Sequence, residues 1–202
     1  MNIAFWLVVS YLLGSIPTSY LVARVGKGID LRQVGSKNLG ATNLYRTLGW
    51  RYAIPVGLFD VAKGALPVLW FGRLAGGGSW IPLACGLAAV IGHVFSLFVH
   101  FKGGKGVATA AGVVLGLVPW ATLASAAVWV VLVRVTGYVS VGSIVAAALL
   151  PVFAFFLEPG QRDLVWFFAG LGLFVIVMHR ANIRRLLAGT ENRFGRRKAA
   201  AG

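Results

Sequence analysis

The chain alternates between long apolar runs and brief polar interruptions. A helix needs about 17 to 25 apolar residues to cross the hydrocarbon core of a bilayer. Runs that meet or approach this length predict helices over 3–23, 52–72, 80–100, 107–119, 120–135, 139–157 and 163–179. The fourth and fifth runs are short, and Pro119-Trp120 is the only punctuation between them. No Lys or Arg precedes Arg24, so the charged leader of a cleaved signal peptide is missing and residues 3–23 read as a retained first span.

Charge decides how the short runs are read. If 107–135 were one tilted helix, the C-terminal tail would emerge on the opposite side of the membrane. With seven spans, sixteen of the nineteen Lys and Arg residues collect on one side, while Arg73 and Arg162 face the other and Lys63 lies inside a span. The positive-inside rule then predicts an external N-terminus and a cytoplasmic C-terminus. The expected fold class is an all-α polytopic membrane protein of about seven transmembrane helices, forming one domain over 1–202. Its basic tail, 193–202, is expected to sit on anionic lipid of the inner leaflet.

Composition agrees with the pattern: 58% of the 202 residues are hydrophobic and 12% charged. A net charge of +14 suggests polyanionic partners. Nucleic acid is excluded as the expected partner, because the cations lie in loops and a tail and not as a stripe on a soluble fold. Anionic lipid and phosphate-bearing substrates fit better. A lone cysteine, Cys85, lies in mid-span and allows neither a disulfide framework nor a Cys metal cluster.

Three polar segments, all on the predicted cytoplasmic side, carry the chemistry. In the first, Ser36, Asn38, Thr42 and Asn43 offer donors and acceptors, and the planar fork of Arg46 suits a phosphate. The second is Lys102-Gly103-Gly104-Lys105-Gly106, whose glycines permit close backbone approach so that N–H groups and lysines can converge on one phosphate. It is not a Walker loop: Gly106 replaces the required Ser/Thr, and Val99 stands where the leading glycine belongs. In the third, His179 and Asn182 share a helix face at i,i+3 beside Arg184 and Arg185, and Glu191 is expected to pair with an arginine. Asp60 and Lys63, also i,i+3, are expected to neutralise each other within a span. His93 and His100, seven apart, are expected on one face of the third span.

With these residues in view, the chain resembles the bacterial membrane-integral acyl-phosphate:glycerol-3-phosphate acyltransferases, the PlsY family. The similarity rests on Gly14-Ser15-Ile16-Pro17, the Gly35–Arg46 loop, Asp60-Val61-Ala62-Lys63-Gly64, Gly92-His93 leading into Phe101–Thr109, and His179–Arg193, in the family's order. Two departures are Lys37, where family loops often carry glycine, and Met178, where arginine often precedes the histidine. The resemblance implies transfer of an acyl group from acyl phosphate to the sn-1 hydroxyl of glycerol 3-phosphate, giving lysophosphatidic acid and inorganic phosphate.

Absences narrow the reaction. No histidine is followed five residues later by aspartate, because Phe98, Lys105 and Arg184 occupy those places. No Gly-x-Ser-x-Gly elbow supports an acyl-serine, and no acid cluster suits a catalytic divalent metal. Direct transfer remains, with proximity supplying much of the rate. The expected catalytic residues are His179, Asn182, Ser36 and Arg46, and the expected phosphate ligands are Asn38, Thr42, Asn43, Lys102, Gly103, Gly104, Lys105, Gly106 and Arg184. Structural support is assigned to Glu191, Asp60 and Lys63, with no metal and no cofactor. The hydroxyl proton goes either to His179 or to the departing phosphate, and Asn38, Asn43 or loop N–H groups hold the oxyanion. The protein is expected to work as a monomer in the bacterial inner membrane with its site facing the cytoplasm. A rival reading, a carrier of an organic phosphate, would call for more spans and an internal repeat, neither of which the sequence contains.

Overall fold

A computed structural model describes residues 2–76, 78 and 80–194, so the tail beyond Phe194 and its expected lipid contact lie outside the described residues. The described chain is helical throughout, without strands. It begins with α1 (Ile3–Ser15) and α2 (Thr18–Lys27), followed by the short α3 (Ala41–Leu48) and by α4 (Trp50–Leu66). A π turn at Pro67–Phe71 and a last turn at Gly72–Leu74 prolong α4. Next come α5 (Trp80–Val94), α6 (Val107–Leu117), α7 (Pro119–Thr136), α8 (Val139–Leu157), α9 (Val165–Met178) and α10 (Arg180–Leu187).

Among the described residues, five helices are long and apolar enough to cross a membrane, and six if α1 and α2 count as one span bent by 42°. The bend follows from Pro17, which has no N–H to donate and ends α1 at Ser15. At the break the Ile16 carbonyl accepts from Thr18 N–H at 3.0 Å and from Lys63 Nζ at 3.0 Å, so the interrupted backbone stays satisfied inside the bundle. The predicted 107–119 run is an 11-residue helix, α6, about 16 Å long against a hydrocarbon core of about 30 Å. Val118, with φ −140° and ψ 76°, separates it from α7, so 107–135 is not one helix.

Hydrogen bonds reveal which helix ends lie together. Glu158, after α8, accepts from Trp120 N–H at 2.7 Å and so caps the start of α7. At the other end, Gly137 between α7 and α8 accepts from Phe194 N–H at 2.6 Å, after α9 and α10. The 28–40 loop, the 95–106 turn and the 179–194 segment share this second end.

Close packing depends on small residues, as membrane helices require. A side chain at Gly14 would meet the Ala89 carbonyl, and one at Gly92 the Tyr11 carbonyl, which locks α1 to α5. Gly64 against the Thr109 carbonyl and Gly112 against the Val61 carbonyl lock α4 to α6 in the same way. Between these pairs the core is filled by Val90, Val113, Val118, Phe168 and Leu171.

One sequence expectation about a helix face does not hold. His93 and His100 do not lie on one face, because α5 stops at Val94 and His100 follows a short 3-10 turn with φ at +56°.

Candidate active site

A cavity of about 600 Å³ opens from the shared end into the bundle. Its walls divide by chemistry. Near the mouth are Ser36, Asn38, Thr42, Arg46, Lys105, His179, Asn182 and Glu191. Deeper, between α6, α7, α8 and α9, the lining turns to Ala111, Val114, Ala126, Val130, Ala147, Leu150 and Leu171. One end suits an anion and the other an aliphatic chain.

The polar mouth is assembled by a relay that starts at Glu191. Its Oε1 accepts from Asn182 Nδ2 at 2.6 Å and from Ser140 Oγ at 3.0 Å, and its Oε2 accepts from Arg185 Nε at 2.7 Å. Burial works to raise the Glu191 carboxyl, but the hydrogen bonds from Asn182 and Arg185 outweigh it and hold the group below its usual range. Because Nδ2 of Asn182 faces Glu191, its Oδ1 faces the other way and accepts from Lys105 Nζ. The carboxylate therefore fixes the amide, and the amide aims the ammonium.

Burial depresses Lys105 to about 8, opposed by the attraction of Glu191 and assisted by the repulsion of Arg185 and Arg46. Arg46 is lowered by burial first, with Glu191 opposing. One of its terminal nitrogens donates to the Asn192 carbonyl at 3.2 Å, while its buried Nε has no protein partner. That unpartnered donor borders the cavity, where an anion would satisfy it. Lys105, from the 95–106 turn, and Arg46, from α3, thus flank the mouth from different elements.

His179 caps the end of α9 and precedes α10. Its Nδ1 lies 2.8 Å from the Val175 carbonyl, which can only accept, so Nδ1 carries the proton and Nε2 keeps a lone pair. Burial, then the nearby Lys105 charge, lowers the ring to about 4. At neutral pH it is an uncharged hydrogen-bond acceptor.

The first polar loop is organised by Asn43. Its Oδ1 accepts from Ser36 N–H at 2.8 Å, and its Nδ2 donates to the carbonyls of Val34 at 3.1 Å and Leu31 at 3.3 Å. Gly35, with φ +60°, brings its backbone against that amide, and a side chain there would meet Asn43 Oδ1. Asn43 is fully employed in shaping the loop, whereas Ser36, Asn38 and Thr42 line the cavity and their side chains make no hydrogen bond among the described residues.

The structure separates residues that the sequence groups together. Gly103 and Gly104 donate their N–H groups to the carbonyls of Val94 at 2.9 Å and His93 at 3.1 Å, so neither amide is available to a phosphate. These glycines serve close packing instead: a side chain on Gly104 would strike the His93 ring. Only Lys105 and Gly106 of that segment line the cavity, with Val107 and Ala108 of the first turn of α6. That turn has N–H groups with no intrahelical partner. Lys102 points to a separate cleft, and Arg184 is exposed on α10 away from the cavity. Asp60 and Lys63 pair at 2.7 Å, both buried, beneath the mouth.

Sequence reasoning missed Ser140, which steadies Glu191, and the lining residues Thr122, Ser125 and Trp129 in α7. The available signal was polar residues in apolar runs, with Ser140 and Ser143 one turn apart at the start of α8. It also missed the contacts that fasten the chain after Glu191, where Phe194 stacks on Tyr45 at 4.7 Å between ring centroids and Arg193 Nε donates to Tyr138 OH at 3.2 Å.

A multi-pass helical membrane protein with a mouth that carries Arg46 and Lys105 over an apolar chamber is the class that fold and site define. The profile of the glycerol-3-phosphate acyltransferase family matches residues 4–189, and the chain belongs to that family. It is 50% identical over 186 residues to a glycerol-3-phosphate acyltransferase of Geobacter sulfurreducens, covering 92% of this chain and 94% of the relative. A second relative of the same description, from Trichlorobacter lovleyi, is 49% identical over 193 residues, covering 94% and 96% of the two chains. Among solved structures, PlsY (YgiH), described as an integral membrane glycerol 3-phosphate acyltransferase, superposes in its glycerol 3-phosphate form with a TM-score of 0.88 at 42% identity over 96% of each chain. Its lysophosphatidic acid form gives 0.86 at 40% identity, over 96% of this chain and 95% of that one. The protein is an acyltransferase of this family.

Proposed function

We propose that the protein transfers an acyl group from acyl phosphate to the sn-1 hydroxyl of glycerol 3-phosphate, as a single transmembrane domain working as a monomer. The observation that carries this reading is the divided cavity, with Arg46 and Lys105 at a polar mouth directly above an apolar chamber. Acyl phosphate has that same division: a dianionic head joined to an aliphatic chain. A soluble thioester donor has no comparable need for two cations at the point where the chain begins.

In this mechanism Arg46 and Lys105 offset the charges of the two phosphates, whose mutual repulsion otherwise opposes their approach. The arrangement holds the glycerol hydroxyl against the acyl carbonyl, which converts a bimolecular encounter into an effectively unimolecular step. His179 Nε2 accepts a hydrogen bond from the hydroxyl and orients it. A ring depressed to about 4 is a poor proton acceptor at neutral pH, so the proton passes to the departing phosphate. The ester C–O bond forms as the acyl carbon's bond to the phosphate oxygen breaks, leaving lysophosphatidic acid and inorganic phosphate. Because the Asn43 amide is committed to the loop, the Asn38 amide and the first-turn N–H groups of α6 are the donors left for the oxyanion. Asn182 acts by positioning Lys105, and Ser36 and Thr42 contribute hydroxyls to the glycerol phosphate.

We place this site on the cytoplasmic side of the bacterial inner membrane, with seven membrane segments and an external N-terminus. The bias of cations toward the loops at the cavity end supports that orientation. The reversal at Val118, with Glu158 capping α7 at the far end, supports counting α6 as a segment in its own right.

The test is purified protein in sealed proteoliposomes supplied with acyl phosphate and labelled glycerol 3-phosphate. Formation of labelled 1-acyl lysophosphatidic acid, with one phosphate released per product, is the expected outcome. Accumulation of unmodified glycerol 3-phosphate inside the vesicles without lipid product would indicate a carrier and defeat the proposal.

A further inference from the structure

Lys102 and Lys105 belong to one glycine turn, yet their side chains diverge. Lys105 enters the reaction cavity, while Lys102 borders a second cleft with Arg32, Lys37, His100 and Gly103. The two hollows lie back to back across the Gly103–Gly104 turn, whose amides are bonded to the end of α5. The reaction described above makes no use of this second cleft.

Its lining is cationic and under-employed. Asp30 is occupied by Arg32 at 2.7 Å, and Lys37, His100 and Lys102 have no ion-pair partner among the described residues. Clustered cations of this kind repel one another unless an anion sits among them. The backbone pays for the cluster as well. Lys37 (φ 58°), His100 (φ 56°) and Phe101 (φ 59°) are the non-glycine residues with positive φ among those described; Lys37 and His100 line this cleft, and Phe101 lies between His100 and Lys102 of its lining. Side chains are held in that region at an energetic cost, and such positions gather at functional sites.

The neighbouring surface indicates what brings the anion. Leu97, Phe98 and Phe101 are 49%, 57% and 56% exposed beside the cations, on the turn that follows α5. Apolar side chains facing outward beside lysines match a membrane interface, with hydrocarbon against the rings and headgroup phosphate at the cations.

We propose that Lys37, His100, Lys102 and Arg32 form a second phosphate site, separate from the reaction cavity, and that its ligand is the headgroup phosphate of an anionic membrane phospholipid. The acyl chains of that lipid lie along Leu97, Phe98 and Phe101.

Native mass spectrometry and lipid titration of the intact protein in detergent test this. Phosphatidylglycerol should bind about tenfold more tightly than phosphatidylcholine, and molar salt should erase the preference. Lys102→Met and Lys37→Gly should each lower phosphatidylglycerol affinity about fivefold, and the double variant more. Glycine suits the positive φ at position 37, so that variant keeps the fold and its melting temperature verifies this. Lys105→Met, in the other cavity, should leave phosphatidylglycerol affinity intact. Unchanged affinity in the folded double variant would overturn the proposal. If millimolar glycerol 3-phosphate or inorganic phosphate displaced the lipid in a Lys102-dependent way, the phosphate site would stand but its assignment to lipid would be overturned.

Discussion

At the scale of single residues, the site is a chain of dependence running from Glu191 through Asn182 to Lys105, and each link predicts a different defect. Lys105→Met removes a charge-assisted contact, typically worth about 1.5–3 kcal/mol, so kcat/KM should fall roughly ten- to a hundredfold. Because the contact to a phosphate exists before and during transfer, the loss should appear mainly in KM. Glu191→Gln leaves Lys105 charged but frees the amide that aims it, so it should weaken glycerol 3-phosphate binding by less than Lys105→Met. An equal or greater loss would show that Glu191 does more than position. His179→Gln preserves an acceptor and should keep kcat within about tenfold, whereas a loss of about 10²–10⁴ would identify the imidazole as the general base.

The pH dependence follows from the same two groups. Lys105, lowered to about 8, is charged below that value, so phosphate binding should decline as pH rises through about 8. His179, lowered to about 4, is neutral above that value, so the acid limb of kcat/KM should lie near 4 and not near the 6.5 of a free imidazole. Rates normalised to the substrate dianion, whose own ionisation is near 6, provide the measurement. An acid limb remaining at 6.5 would refute the assigned state of His179.

Sequence spacing is a poor guide at this scale. Lys102 and Lys105 look equivalent in a glycine-rich turn, and Arg184 and Arg185 look equivalent in a basic run. In each pair one residue reaches the site and the other does not, because the chain direction is set by contacts far away. Gly103 and Gly104 turn on the carbonyls of α5, and Arg185 is chosen by Glu191, six residues later but across a helix end. Asn43 illustrates another limit: its residue type fits ligand binding, and only the carbonyls of Leu31 and Val34 reveal that its amide is already committed.

At the scale of elements, apolar run length located the helices well, and 139–157 coincides with α8. What it missed were interruptions whose causes are local. Pro17 bends the first span by 42°, and the end of α5 at Val94 leaves His100 off the helix. The broken first span rests on Lys63, which reaches the Ile16 carbonyl at 3.0 Å while paired with Asp60 at 2.7 Å. Removing one partner of a buried pair leaves an uncompensated charge, typically a loss of about 3–5 kcal/mol. Lys63→Met should therefore destabilise strongly, and Asp60→Leu combined with Lys63→Met should recover much of the loss. Thermal unfolding of the single and double variants tests this. A double variant no more stable than the single one would show that the Ile16 contact, and not the charge, is what matters.

At the scale of the whole molecule, topology and cation chemistry both yield tests. With Cys85 replaced by Ala, a cysteine at Ala188 should react with cytoplasmic reagents, and one at Gly160 with external reagents. The reverse pattern, Gly160 reached from the cytoplasm and Ala188 from outside, would contradict seven segments. Three of the five acids are held in ion pairs, Asp30 with Arg32, Asp60 with Lys63 and Glu191 with Arg185. Activity should therefore survive strong chelation, since Arg46 and Lys105 supply the positive charge. Loss of activity restored by added Mg²⁺ would overturn that assignment.

The central claim is that the cationic mouth above an apolar chamber is built for an acyl phosphate. The most direct measurement compares donors in purified, lipid-reconstituted protein: the same acyl chain offered as acyl phosphate or as a thioester, with glycerol 3-phosphate as acceptor. The account predicts lysophosphatidic acid from the acyl phosphate, depending on both Arg46 and Lys105, and none above background from the thioester. Equal turnover of the thioester, or acyl phosphate turnover unaffected by removing both cations, would contradict it.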